Sequence, residues 1–134
     1  MKYLLDTDAC IELIRRKPPK LIQRLTRSQP GDVGLSTITT AELWFGVAKS
    51  GDPERNGLAL EGFLIPFEIV LFDESAAMTY GGIRAALEKT GSSIGSLDLL
   101  IGAHALSLGA TLVTANIREF RRIRGLRIAN WLSR

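Results

Sequence analysis

The sequence predicts an α/β fold, a mainly parallel central sheet flanked by helices. Short apolar runs alternate along the chain with stretches of helical periodicity, and Gly, Pro or Asp breaks fall between them. With 134 residues and 46% hydrophobic content, the chain has material for one packed core, so a single domain over 1–134 is expected.

Tyr3 to Leu5 forms the first expected strand, an apolar run ending at Asp6. Cys10, Ile11, Leu13 and Ile14 then recur at helical spacing until Pro18 and Pro19 interrupt them, and a second helix carries Leu21, Ile22 and Leu25. Gly31 and Asp32 mark a turn into a strand at Val33 to Leu35. A helix over Thr39 to Val47 closes before Gly51, and Asp52-Pro53 reads as an N-cap followed by proline at the first helical position. Glu68 to Phe72 is the third expected strand. Asp73 opens a long helix in which Ala76, Tyr80, Ile83 and Leu87 share a face, and Gly91 ends it. Ser96 is expected to cap a helix running through Leu108, after which Gly109 turns the chain into a strand at Thr111 to Thr114. The tail beyond is short and basic. No internal repeat or low-complexity tract interrupts this order.

Apolar stretches are broken well before the ~18 residues of a membrane span, and the N-terminus lacks a signal-peptide pattern, so a cytoplasmic protein with no membrane association is expected. One cysteine, Cys10, and one histidine, His104, exclude an internal disulfide and a zinc-type cluster. Any metal must therefore be held by oxygens. The net charge of +3 says little alone, but two basic stretches stand out: Arg15, Arg16, Lys17, Lys20, Arg24 and Arg27, then Arg118, Arg121, Arg122, Arg124 and Arg127. Either can be a solvated helix face; two in one small domain favour a polyanionic partner.

Three carboxylates sit where an α/β fold can bring them together, at the carboxyl edge of the sheet. Asp6 directly follows a strand, although it can equally cap the first helix; Asp8 looks the better cap of the two. Glu42 lies in Thr39-Thr40-Ala41-Glu42, which is also a capping-box pattern. Asp98 stands in the first turn of a helix, where a negative charge complements the helix dipole. Brought together, the three would repel one another unless a cation compensates. An all-oxygen set selects Mg²⁺ or Mn²⁺ and suits phosphodiester hydrolysis, in which a bound cation activates water and offsets charge on the leaving oxygen. Downstream, Thr114, Asn116 and Glu119 are candidate accessory groups, each with an ordinary structural role as its alternative. Gly102, four residues past Asp98, would keep the approach to that carboxylate open. His104 should point away from Asp98, and Trp44 and Phe45 are expected in the core or a dimer interface.

Together these segments resemble the PIN-domain family, in particular VapC-type toxins of toxin–antitoxin pairs. The resemblance runs through Leu4-Leu5-Asp6-Thr7-Asp8, Ser36 to Leu43, Ile94 to Ile101, Leu112 to Phe120 and the closing Gly125-Leu126-Arg127 with Asn130-Trp131. It implies a PIN fold and a Mg²⁺- or Mn²⁺-dependent endoribonuclease toxin acting on RNA, tRNA among the substrates. It further implies a homodimer and a cognate antitoxin covering the site, with the apolar faces of the first two helices as candidate antitoxin surface. Carried over by position, Asp6 and Asp98 are metal ligands, Glu42 the third acid, and Asn116 occupies the family's fourth position. Two departures stand out: Asp8 replaces a common asparagine, and Asn116 replaces a common aspartate, which Glu119 is near enough to compensate. Two rival readings exist. Asp6-Thr7-Asp8 also resembles the D-x-D motif of haloacid-dehalogenase-type phosphatases, with Asp6 as nucleophile and Asp8 as acid/base. Alternatively, a PIN-like fold could bind RNA through its basic stretches without cutting it.

Overall fold

A computed structural model describes residues 1–132. Along the chain run β1 (Tyr3–Leu5), α1 (Thr7–Arg15), α2 (Pro19–Arg27), β2 (Val33–Ser36), α3 (Thr37–Ala48), α4 (Pro53–Leu64), β3 (Glu68–Val70), α5 (Glu74–Lys89), α6 (Ser96–Leu108), β4 (Thr111–Val113), α7 (Ile117–Phe120) and β5 (Ile128–Ala129). The five strands form one sheet in the order β3-β2-β1-β4-β5, every pair parallel. The α/β expectation is therefore met.

Side-chain alternation along the central strands explains the layers. On β1, Leu5 packs with Val113 of β4 under α1–α4, joining Ala9, Leu13, Leu21, Leu43 and Leu60. The neighbouring residues Leu4 and Leu112 face the opposite side, where Leu87 of α5, Ile101 and Ala105 of α6 and Phe120 of α7 cover them. Both strands are buried on both faces, which is why they read as continuous apolar runs.

Several boundaries differ from expectation for identifiable reasons. α3 starts two residues early because the Ser36 hydroxyl, at the end of β2, accepts the Ile38 N–H at 3.0 Å. β3 stops at Val70, and the Phe72 N–H bonds the Thr37 hydroxyl at 3.1 Å. Gly95, not Ser96, is the N-cap of α6, and no side chain of its own segment caps it. The basic tail contains α7 and β5, which are too short to leave a periodic signature; Gly125, with φ of 85°, makes the turn between them.

One side-chain reading is also corrected, and another is narrowed to one of its alternatives. Gly102 does not open the approach to Asp98: it faces the core, where an added Cβ would lie 2.5 Å from Ile123 Cδ1 and 3.3 Å from the Phe120 ring. Gly102→Ala is accordingly expected to destabilise the protein by about 1–3 kcal/mol through overpacking, measured by urea denaturation; a stability change within error would contradict that contact. Trp44 and Phe45 are exposed on α3, at 39% and 65%, so neither is a core residue. His104 is buried. Its Nδ1 lies 2.8 Å from Ser36 Oγ, tying α6 to the end of β2, and burial holds its pKa below the ordinary value.

Candidate active site

The chain order reverses between β1 and β4, because β1 leads outward to β2 and β3 while β4 and β5 build on its other side. A crevice opens at the carboxyl ends of strands at such a reversal. Asp6 stands there. Its N–H extends the ladder to the Val113 carbonyl at 3.1 Å, and its side chain is 2% exposed. Oδ1 accepts the Ala9 N–H at 2.8 Å, so Asp6 is the N-cap of α1. The expectation that Asp8 would take the cap is thus overturned: the helix begins at Thr7, and Asp8 lies exposed in its first turn. Capping engages Oδ1, and the Thr114 hydroxyl also hydrogen-bonds this carboxylate; a cap made by one oxygen does not exclude a second role for Asp6.

Burial pushes the Asp6 pKa from 3.8 up to about 6. Hydrogen bonds from Thr114 and Ala9 oppose that rise, and the charges of Asp8 and Asp98 add to it. Asp98, half-buried in the first turn of α6, is likewise pushed up to about 6, first by burial and then by Glu119, Asp8 and Glu42. These mutual influences place the acids in one electrostatic cluster. Among the described residues the ion pairs are Arg16–Glu12 and Arg84–Glu88, so no lysine or arginine pairs with Asp6, Glu42 or Asp98.

Glu42 reaches the cluster from the second turn of α3. With Ser36 as the cap, the Thr39–Glu42 capping box does not form, and the carboxylate is instead bonded by the Thr7 hydroxyl at 2.6 Å. Asn116 and Glu119 arrive on the segment after β4. The Asn116 N–H donates to Thr114 Oγ1 at 2.9 Å, and its side-chain amide donates to Glu119 Oε2 at 2.9 Å. Glu119 Oε1 accepts the Gly95 N–H at 2.7 Å. One glutamate therefore joins the loop after β4 to the N-terminus of α6, just before Asp98. Sequence reasoning missed this link and the Thr7–Glu42 bond, since both join residues far apart in the chain.

The donor set suits a hard divalent cation: several carboxylates, partly desolvated and mutually repelling, with an amide oxygen nearby. Among the described residues no group of three or more aspartate, glutamate, histidine or cysteine side chains is arranged to hold a metal ion. Mg²⁺ keeps several waters and takes one or two carboxylates directly, so it does not require such a group.

The PIN-domain model matches residues 3–126. The chain belongs to the PIN-domain family. Among PIN-domain relatives, it is 40% identical over 131 residues to the tRNA(fMet)-specific endonuclease VapC of Shigella flexneri, covering 98% of each chain. It is 42% identical to the ribonuclease VapC2 of Haemophilus influenzae, covering 98% of this chain and 99% of the relative. The fold matches a chain in the crystal structure of DNA-bound VapBC from Salmonella typhimurium, with a TM-score of 0.93, 41% identity and 98% coverage of both chains. PIN-domain nucleases in general depend on divalent metal ions. No helix among the described residues is long and apolar enough to cross a membrane.

Proposed function

We propose that this chain is the toxin of a type II toxin–antitoxin pair, a cytoplasmic endoribonuclease that hydrolyses RNA phosphodiester bonds. The observation carrying this reading is the cluster of acids without basic partners at the sheet reversal, in a chain about 40% identical to VapC ribonucleases over nearly its whole length. The whole chain, 1–134, acts as one nuclease domain, its last two positions lying outside the described residues.

Asp6 and Asp98 hold the divalent ion, Mg²⁺ in preference with Mn²⁺ as substitute, and Glu42 is the third acid. When bound, the ion activates water and offsets charge on the phosphate and leaving oxygen. Thr114 steadies Asp6. Asn116 offers a neutral oxygen, and Glu119 fixes the start of the helix that carries Asp98. Asp8, exposed at the mouth, adds negative charge to both principal ligands. Of the second basic stretch, Arg122 and Arg127 donate to the Ser93 and Gly109 carbonyls, whereas Arg118, Arg121 and Arg124 are exposed and supply phosphate contacts. Initiator tRNA is the first substrate to test, after the Shigella relative's name. PIN-family membership removes the phosphatase reading of Asp6 and Asp8, and the intact set of acids disfavours a purely RNA-binding role.

The antitoxin has a seat. A groove of about 1030 Å³ runs between α1, α2, α3 and α4, lined by Ile11, Ile14, Ile22, Leu25 and Phe63 and reaching Glu42. An apolar partner segment lying there reaches Glu42, the one site acid that lines the groove. The exposed Trp44 and Phe45 are the surface assigned to a homodimer contact.

Incubation of the purified protein with total RNA and with initiator tRNA tests the reading. Cleavage is expected with Mg²⁺ or Mn²⁺ and none in EDTA. Cleavage that persists in EDTA overturns the metal requirement, and equal cleavage of a DNA control overturns the substrate class.

A further inference from the structure

We infer that Thr7 is a positioning residue, whose hydroxyl orients the Glu42 carboxylate for the reaction; this rests on the nuclease reading above. The contact between Thr7 Oγ1 and Glu42 Oε1 is 2.6 Å, the length of a hydrogen bond from a hydroxyl to an ionised carboxylate. It joins the first turn of α1 to the second turn of α3, across 35 positions of sequence. Thr39, fully buried on α3, places its own hydroxyl 3.4 Å from Thr7 Oγ1. Thr7 has a single hydroxyl proton, and the short contact to Glu42 takes it. The contact to Thr39, at 3.4 Å, is too long to compete for that proton, which stays directed at the carboxylate.

The backbone of Thr7 is itself held, because Asp6 caps the helix that Thr7 begins. The first acid thus fixes Thr7, and Thr7 fixes the third acid. A glutamate has three side-chain torsions, and among the described residues no ion pair and no other hydrogen bond restrains this one. Without the hydroxyl its carboxylate would spread over several rotamers, and the negative charge near Asp98 would favour those that lead away from the site. The hydroxyl holds one oxygen and leaves the other for the cation or the attacking water. Sequence alone does not mark Thr7, which reads as an ordinary residue at the start of a helix.

Thr7→Val keeps the shape and removes the donor, whereas Thr7→Ser keeps the donor and removes the methyl. Three measurements on the full chain separate their effects: Mn²⁺ binding followed by electron paramagnetic resonance of the free ion, steady-state RNA cleavage, and thermal midpoints in EDTA. Thr7→Val is expected to weaken Mn²⁺ binding and lower kcat by about tenfold or more each, with KM for RNA near the wild-type value. Thr7→Ser should stay within about threefold of wild type on each, the ordinary spread for a retained hydrogen bond. Wild-type Mn²⁺ binding and kcat in Thr7→Val would overturn the inference. So would equal losses in both variants, since packing rather than the hydroxyl would then be responsible. If the wild-type protein cleaves no RNA, the nuclease reading fails, while the Mn²⁺ measurement still decides the role of Thr7.

Discussion

Asp6→Asn and Asp98→Asn will each reduce RNA cleavage by about three orders of magnitude, and Asp98→Asn will at the same time make the metal-free protein more stable. The loss corresponds to about 4 kcal/mol of transition-state stabilisation, the scale on which a bound cation contributes to phosphoryl chemistry. The gain has a separate origin. Asp98 is pushed to about 6 by burial and by Glu119, Asp8 and Glu42, so its ionised form is disfavoured when no metal is bound. An amide removes that cost. Because the group is half open to solvent, screening reduces the effect to about 1 kcal/mol. At Asp6 an asparagine can still accept the Ala9 N–H as a cap, so the fold persists and the activity loss can be assigned to the site. Single-turnover cleavage together with thermal melts in EDTA measures both effects. Wild-type cleavage by either variant, or a lower melting temperature for Asp98→Asn, contradicts the assignment.

Metal affinity should fall about a hundredfold between pH 7 and pH 5. Asp6 and Asp98 both titrate at about 6 in the metal-free protein, and each must shed its proton to bind a cation. A group at that pKa passes from about one-tenth to about nine-tenths protonated over the interval, a tenfold penalty for each of two sites. The stability of the metal-free protein runs the other way. Both folded-state values lie above the unfolded value of 3.8, so between the two the folded chain binds more protons than the unfolded chain. Rising pH from about 4 to 6 therefore costs metal-free stability, and saturating metal restores it. Calorimetric titration with Mg²⁺ at a series of pH values, paired with melts in EDTA, follows both trends. Affinity independent of pH across this range would show that these two carboxylates are not the ligands.

The alternation of strands and helices could be read from local pattern, since every strand but β5 and every helix but α7 carries its own periodicity or breaker signal. The placement of Asp6 could be read as well, because a carboxylate directly after a buried strand of a parallel sheet has only one edge to occupy. The resemblance to PIN domains extended this to Asp98 and Glu42. Local pattern misled where two helix starts compete within three residues. Ser36 prevailed over Thr39 as the cap of α3 because it ends β2 with its hydroxyl already facing the Ile38 N–H. Asp6 prevailed over Asp8 because α1 begins immediately after β1. Gly102 was misread because a helical wheel shows which residues share a face but not what lies opposite it, here Ile123 and Phe120.

The sequence by itself thus determined the order of elements, the strand-end position of Asp6 and the oxygen-only chemistry of any metal site, because these follow from neighbouring residues and from composition. The tertiary structure alone decided which acids are free for that chemistry. Glu42 is released from a capping role and held by Thr7 across 35 positions, and Glu119 anchors Gly95 across 24. Hydrogen bonds between residues so far apart depend on how the helices pack on the sheet, which no local pattern encodes.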